Sequence, residues 1–427
     1  MTGLDMREPA APRAADRALT WVLGMRGRPE RLLVANVLVD AAGSALYLAA
    51  LLLFAITAKG MSASAITTTV GVSGLLAVGL TYVGGYLADR FSPKSVLVVL
   101  QLAQAITGIG LFFADDHLTV AVLIGASVVL SRVQSPVRGA LPVRYVGPTE
   151  IVSFKAAQRS RTILVTLVFG AVGAAIAGSR NPGLIETTPL VNAASYLVCT
   201  ALTVLLGVLP AGSETPAAGR AAGELGDRTW IVVVACLVGV TAISGAMAGT
   251  VVPLLLGTDS SAPSWLLTEL VVIEFVAVVV AQRLLQQSAV DTNTSRTTLL
   301  LGIAVMMPVA LVGLYATVHA STPWLTSILL AVSALVLSGC EVAVMLLSWH
   351  WQYSLGPDAQ RGRIIAVFAI GASVTVSLAA PLGNFVLHRS LVFWLGTGLV
   401  LGAVALLLIP VQRRATAVST DEKMIRG

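Results

Sequence analysis

Apolar residues along this chain gather in long blocks, with little of the two-residue alternation that marks a half-buried strand. The blocks fall at 33–57, 65–87, 95–114, 118–141, 162–178, 189–209, 231–256, 264–282, 298–318, 323–348, 364–387 and 391–410. At 1.5 Å rise per residue, about 20 apolar residues cross the hydrocarbon of a bilayer as a helix. The pattern therefore predicts an all-α membrane protein with 12 transmembrane helices. One long polar stretch, 211–229, interrupts it midway and reads as a linker. The expected organisation is an N-terminal tail over 1–30, a six-helix bundle over 31–210, the linker 211–229, a second six-helix bundle over 230–412 and a tail over 413–427.

Composition agrees with a lipid environment. Charged residues make up 11% of the chain, against about 25% in soluble domains, and the mean hydropathy is +0.88. The basic isoelectric point, about 9.5, does not point to nucleic acid, because the arginines are dispersed at helix ends and not gathered in one patch. Residues 1–30 are polar and Arg-rich without an apolar run, so no cleavable signal is expected there. Cys199, Cys236 and Cys340 lie inside apolar blocks without metal-ligand spacing and are expected as buried core residues.

An even number of spans leaves both termini on one side, and the basic residues say which. Of 27 Lys and Arg, 23 fall on the side of the termini; Lys59, Arg180 and Arg389 fall on the other, and Arg132 lies within a span. Positive charge stays inside, so both ends are expected in the cytoplasm. The chain also repeats itself. Ala157-Gln-Arg-Ser-Arg-Thr-Ile163 precedes the fifth span and Ala359-Gln-Arg-Gly-Arg-Ile-Ile365 the eleventh. A fainter echo pairs Ala88-Asp-Arg90 after the second with Ala281-Gln-Arg283 after the eighth. Parallel six-span repeats are a habit of transporters.

Between spans 2 and 3 stands Gly85-Tyr-Leu-Ala-Asp-Arg-Phe-Ser-Pro-Lys-Ser-Val-Leu97. Its G-x-L-A-D-R-x-x-x-K-x-x-L spacing resembles the loop signature of the major facilitator superfamily, with Ser92 and Pro93 as departures. Pro136-Val-Arg-Gly-Ala-Leu-Pro142, Asn192-Ala-Ala-Ser-Tyr196 and Arg361-Gly-Arg363 with Pro381-Leu-Gly383 resemble its bacterial drug- and macrolide-efflux branch. The resemblance implies two pseudo-symmetric six-helix bundles, residence in a bacterial inner membrane as a monomer, and a small-molecule substrate moved against protons or sodium. The branch's Gly-Pro signature in span 5 is missing; Gly170-Ala-Val-Gly173 stands there. An uptake carrier or uniporter of the same fold thus stays open.

Charges inside spans are costly and tend to face cavities or partners. Four are expected to matter: Asp40, Arg132, Glu274 and Glu341, in spans 1, 4, 8 and 10. Asp40 lies about 10 Å and Arg132 about 14 Å along their helices from the cytoplasmic end, so they can pair. The resemblance puts spans 1, 4, 7 and 10 around a central cavity, which would unite Asp40, Arg132 and Glu341. Two readings stay open: a proton relay through these carboxylates, or a fixed Asp40–Arg132 pair holding helices in register. Tyr47 and Phe54 are candidates for aromatic cavity contacts, whereas Trp349 and Trp351 are expected as interface anchors. By resemblance, Asp89 meets the start of span 11, where Arg361 and Arg363 sit. Together with Gly85, Arg90 and Lys94 it would form a conformational latch. No cofactor is expected, since no Walker-type phosphate loop occurs. No catalytic constellation stands out either, so an enzyme is not expected.

Overall fold

The structure, a computed structural model, describes residues 27–146, 150–179, 181–207, 231–241, 273, 275–282, 284–285, 293–320, 322–354, 360–387 and 389–410. The expected tails except for residues 27–30, the linker 211–229, Glu274 and much of the expected spans 7 and 8 lie outside them; the first helix starts within the expected tail, at Arg28. Among the described residues there is no strand.

The first half holds α1 (Arg28–Leu53), α2 (Ala63–Arg90), α3 (Pro93–Phe113), α4 (His117–Ala140), α5 (Ile151–Gly178) and α6 (Pro182–Leu205). The second holds α7 (Ile231–Thr241), α8 (275–282), α9 (Asn293–Val318), α10 (Pro323–Ser354), α11 (Arg361–Leu387) and α12 (Leu391–Leu407). Eight of the described helices are long and apolar enough to cross a membrane. Their outward faces are apolar: Leu75, Ile106, Leu118, Val122 and Val392 are all largely exposed. Lipid, not water, is the solvent that tolerates such a surface.

Local chemistry explains where the helices start. Ser62 Oγ accepts from the Ala65 amide at the head of α2, and Asn181 Oδ1 accepts from Gly183 and Leu184 at the head of α6. Asp116 Oδ1 accepts from the Thr119 amide, 2.8 Å away, at the head of α4. Hydrogen bonds from Thr119, its side chain first, hold the Asp116 carboxyl below its usual range. Each side chain satisfies amides that the helix itself leaves unpaired. Pro93 occupies the first turn of α3, where proline's missing N–H is not needed. The loop-signature departure is thus a helix starter.

Helix α5 begins at Ile151, eleven residues before the apolar block that announces it. Its first three turns are amphipathic. Ile151, Val152, Phe154, Ala156 and Gln158 are buried, while Lys155, Arg159 and Arg161 dilute the hydropathy. Hydropathy marks only the stretch immersed in lipid, and α5 runs on past it.

Within the first half, α2 packs on α4, α1 on α5 and α6, and α3 on α4 and α6; in the second, α9 packs on α10 and α12. The halves meet where α11 lies against α2 and α4 and where α10 lies against α5. One apolar cluster crosses that seam: Ala88, Val133, Val137 and Ile151 from the first half join Val278, Val342, Leu346 and Ile365 from the second. Trp351, expected as an interface anchor, is fully buried in the second half's own core among Leu347, Ile364 and Phe368. Cys199 and Cys340 are buried, but Cys236 is exposed on α7. An apolar block does not say which of its faces turns inward.

Candidate functional site

The seam between the halves is built from the ends of helices that carry the basic residues. Asp89, in the last turn of α2, accepts from the amides of Gly362 at 2.6 Å and Arg363 at 3.1 Å, and from Arg363 Nε at 2.9 Å. Its side chain is 7% exposed. These amides belong to the first turn of α11 and have no partner within their own helix. Asp89 therefore caps α11 from another helix, with a carboxylate at the positive end of the helix dipole. The crossing is close enough to demand glycine on both sides. A Cβ on Gly85 would strike the Gly362 carbonyl, and one on Gly362 would lie 2.8 Å from Asp89 Oδ1.

The other members expected with this contact do different work. Lys94 Nζ donates to the Val204 carbonyl at 3.0 Å and to that of Leu206, closing the end of α6 within the first half. Arg90 donates to Tyr86 Oη one turn back and lies over the Phe91 ring. Arg361 donates to the Gln352 carbonyl of α10, inside the second half. Of the expected latch, Gly85, Asp89 and Arg363 meet across the seam, joined by Gly362.

Two further contacts cross the seam at the same end. Arg159 Nη2 of α5 donates to Glu341 Oε1 of α10 at 2.6 Å, with both side chains about one-third exposed. Ser160 Oγ donates to Gln282 Oε1 of α8. The sequence echoes now acquire a physical meaning. Asp89 and Gln282 hold equivalent places after the second and eighth spans; Gly362 and Ser160 hold equivalent places before the eleventh and fifth. The structure joins them crosswise, Asp89 to Gly362 and Gln282 to Ser160, as one charged and one neutral version of the same contact. Tyr353 Oη of α10 donates to the Gly139 carbonyl of α4 at 3.1 Å nearby.

The expected Asp40–Arg132 pair does not form. Asp40 Oδ2 instead accepts from Arg138 Nη1, with side chains 13% and 22% exposed. Arg132 Nη1 donates to Ser373 Oγ of α11 at 3.2 Å. Depth alone suggested the first pairing, and direction around the helix overrules it. Six residues at 100° each leave Arg132 and Arg138 about 120° apart on α4, so one faces α1 and the other α11. Nor do Asp40, Arg132 and Glu341 share one cluster: each is engaged on a different helix pair. The Asp40 face of α1 continues into a buried polar network. Asn36 Nδ2 donates to the Cys199 carbonyl and Thr203 Oγ1 of α6, and Gln101 Nε2 of α3 donates to Asn36 Oδ1.

Tyr47 lines a cavity of about 70 Å³ with Ser44, Ser127, Ser131, Asn192 and Tyr196 inside the first half. Phe54, the other expected cavity aromatic, is fully buried in packing with Tyr47, Leu111, Val120, Ile124 and Ile185. It lies in a π-helical turn, Phe54–Ala58, that continues α1. A second cavity, about 180 Å³, opens between α2, α4 and α11 and is lined by Thr81, Arg132, Ser135, Ala369, Ala372 and Ser373. Arg138, Arg159, Ser160 and Gln282 were missed as site residues. Arg138 and Arg159 counted only as loop charges, although the duplicated Ala-Gln-Arg segment already singled out Arg159 and Ser160.

No protein-family model and no curated relative matches the chain by sequence. Solved structures do match its shape. A bacterial homologue of the iron transporter ferroportin, in an outward-facing state, superposes with a TM-score of 0.67 at 14% identity, covering 92% of this chain and 100% of that one. The major facilitator superfamily proton:xylose symporter XylE gives 0.67 at 14% identity over 89% of this chain and 94% of that one. The human organic anion transporter MFSD10 gives 0.64 at 11% identity over 89% and 100%. The chain thus has the major facilitator fold, a multi-pass membrane architecture.

Proposed function

We propose that the chain is a secondary-active transporter that exports an amphipathic organic compound in exchange for protons, by alternating access in a bacterial inner membrane. The observation that carries this reading is the strap at the basic, cytoplasmic end. There α2 is bound to α11, α5 to α10 and α5 to α8 through Asp89–Gly362/Arg363, Arg159–Glu341 and Ser160–Gln282. Such contacts close one mouth and must break for the other to close, which is the rocking motion expected of two matched halves.

Glu341 is the coupling group in this mechanism. Ionised, it holds Arg159 across the seam. Protonated, it loses its charge and the strap weakens, so a proton taken up promotes opening towards the cytoplasm, where it is released. Asp40 is the second coupling candidate, and its pair with Arg138 stays within the first half. Protonation there would free a cation between α1 and α4. Glu274, outside the described residues, is the third coupling candidate.

The test is flux in proteoliposomes under an imposed pH gradient. Wild type should drive counter-movement of substrate, and Glu341→Gln should keep downhill exchange yet lose gradient-driven accumulation. Accumulation unchanged in both Glu341→Gln and Asp40→Asn would remove the proton coupling. Equal flux with and without the gradient would favour a uniporter.

A further inference from the structure

The halves enclose charge unevenly. Asp40 and Glu341, the membrane carboxylates within the described residues, each hold an arginine. Arg132 holds none: among the described residues its guanidinium donates only to Ser373 Oγ. An arginine in mid-span without a counter-charge is costly unless water or an anion reaches it. Here it stands on the wall of the 180 Å³ cavity between α2, α4 and α11. We infer that this cavity is an anion subsite for the transported compound, with Arg132 receiving a carboxylate and the space beside Ala369 and Ala372 receiving a small apolar body. This assignment rests on the transporter reading above and specifies its substrate class.

The lining chemistry supports an anion over a cation. Thr81 and Ser373 spend their hydroxyl hydrogens on the Ala77 and Ala369 carbonyls, at 2.7 and 2.9 Å. Both can only accept, and Ser373 already accepts from Arg132. The donors left to a ligand are the remaining N–H groups of Arg132 and the hydroxyl of Ser135, one turn further along α4. A guanidinium can meet a carboxylate with two parallel hydrogen bonds. Among the described residues, no carboxylate lines the cavity to attract a cation. Its volume exceeds the roughly 150 Å³ of an apolar cavity known to accept benzene.

Position also suits a substrate. Thr81 lies eight residues, about 12 Å, behind Asp89 on α2, and Ser373 ten residues, about 15 Å, behind Arg363 on α11. The cavity therefore sits directly behind the cytoplasmic strap, with walls from both halves. An anion bridging Arg132 and α11 has contacts that change when the halves rock, and only such differential contacts let a ligand shift the equilibrium.

The experiment uses purified full-length protein and three probes of equal size: benzoate, benzamide and benzylammonium. Equilibrium binding is read by calorimetry, with no gradient present. Wild type should bind benzoate at least about tenfold more tightly than either other probe, as expected of a charge-assisted contact. Arg132→Gln should erase that preference and Arg132→Lys should keep part of it. Ala372→Phe, which fills the cavity and leaves Arg132 intact, should weaken benzoate about tenfold or more and decides the matter if Arg132→Gln fails to fold. Absence of benzoate binding to wild type, equal binding of the three probes, a preference surviving Arg132→Gln, or unchanged benzoate affinity in Ala372→Phe would overturn the assignment. Charge preference without gradient-driven flux would instead count against the export mechanism alone.

Discussion

At the scale of single residues, the two carboxylate–arginine pairs differ in how far water screens them, and this sets opposite expectations. Asp40 and Arg138 are mostly buried. Asp40→Asn leaves a guanidinium without its charge partner, which should cost roughly 3 kcal/mol and lower the thermal midpoint of the purified protein. Glu341 and Arg159 are about one-third exposed, so Glu341→Gln should change stability by less than about 1 kcal/mol. Its effect should appear in gating instead. A charge swap, Glu341→Arg with Arg159→Glu, should restore the gating that either single change loses; restored gating in the swap but not in the singles is the readout.

Residue scale is also where sequence reasoning was weakest. A charge in an apolar block announces that something must answer it: Asp40 and Glu341 each hold an arginine, whereas Arg132 meets a serine hydroxyl on a cavity wall. The partner is another matter. It depends on the azimuth of each side chain about its helix and on the rotation of neighbouring helices, and neither is encoded in depth. That is why Asp40 meets Arg138 where depth alone pointed to Arg132. The aromatic residues teach the same lesson. Phe54, expected to line a cavity, and Trp351, expected as an interface anchor, are both packed into apolar cores instead.

At the scale of elements, the α2–α11 crossing is the most exacting joint. Asp89 caps α11 with charge-assisted hydrogen bonds, each worth about 1.5–3 kcal/mol, and the backbones touch at Gly85 and Gly362. Asp89→Ala should therefore shift the balance between a closed and an open mouth at the basic end by about tenfold or more. Spin labels on the basic ends of α2 and α11 would report it as a longer mean distance. Gly85→Val should do so more strongly, because its side chain meets the Gly362 carbonyl and Ala366, neither of which can move aside without parting the helices. Fold and folding should survive in both variants, since the crossing joins halves that are each packed internally. Loss of helical content in Gly85→Val would contradict this account.

For the whole molecule, the proposed coupling would tie the proton occupancy of Glu341 to shape. If Glu341 is the proposed coupling group, loss of its negative charge would release Arg159, so acidification should weaken closure at the basic end and a rise in pH should strengthen it. The same spin-label pair, titrated in wild type and in Glu341→Gln, should show a pH-dependent distance in the first and a reduced dependence in the second. Equal dependence in both would move the coupling group elsewhere.

The amino-acid sequence by itself determined the all-helical membrane architecture, and it carried the repeated motif and the expected gathering of basic residues on one side. These depend on local quantities: the length of an apolar block, the charge at its ends, the return of a motif after six blocks. Through the resemblance of its loop signature it also singled out Asp89 and the segment from Arg361 to Arg363. Only the tertiary structure decided which charges pair, that Asp89 and Gln282 make matching contacts across the seam, and that Arg132 faces a cavity while Arg138 faces a carboxylate. Those outcomes turn on helix rotation and crossing distance, which arise from the packing of many side chains at once and leave no trace in any single stretch of chain.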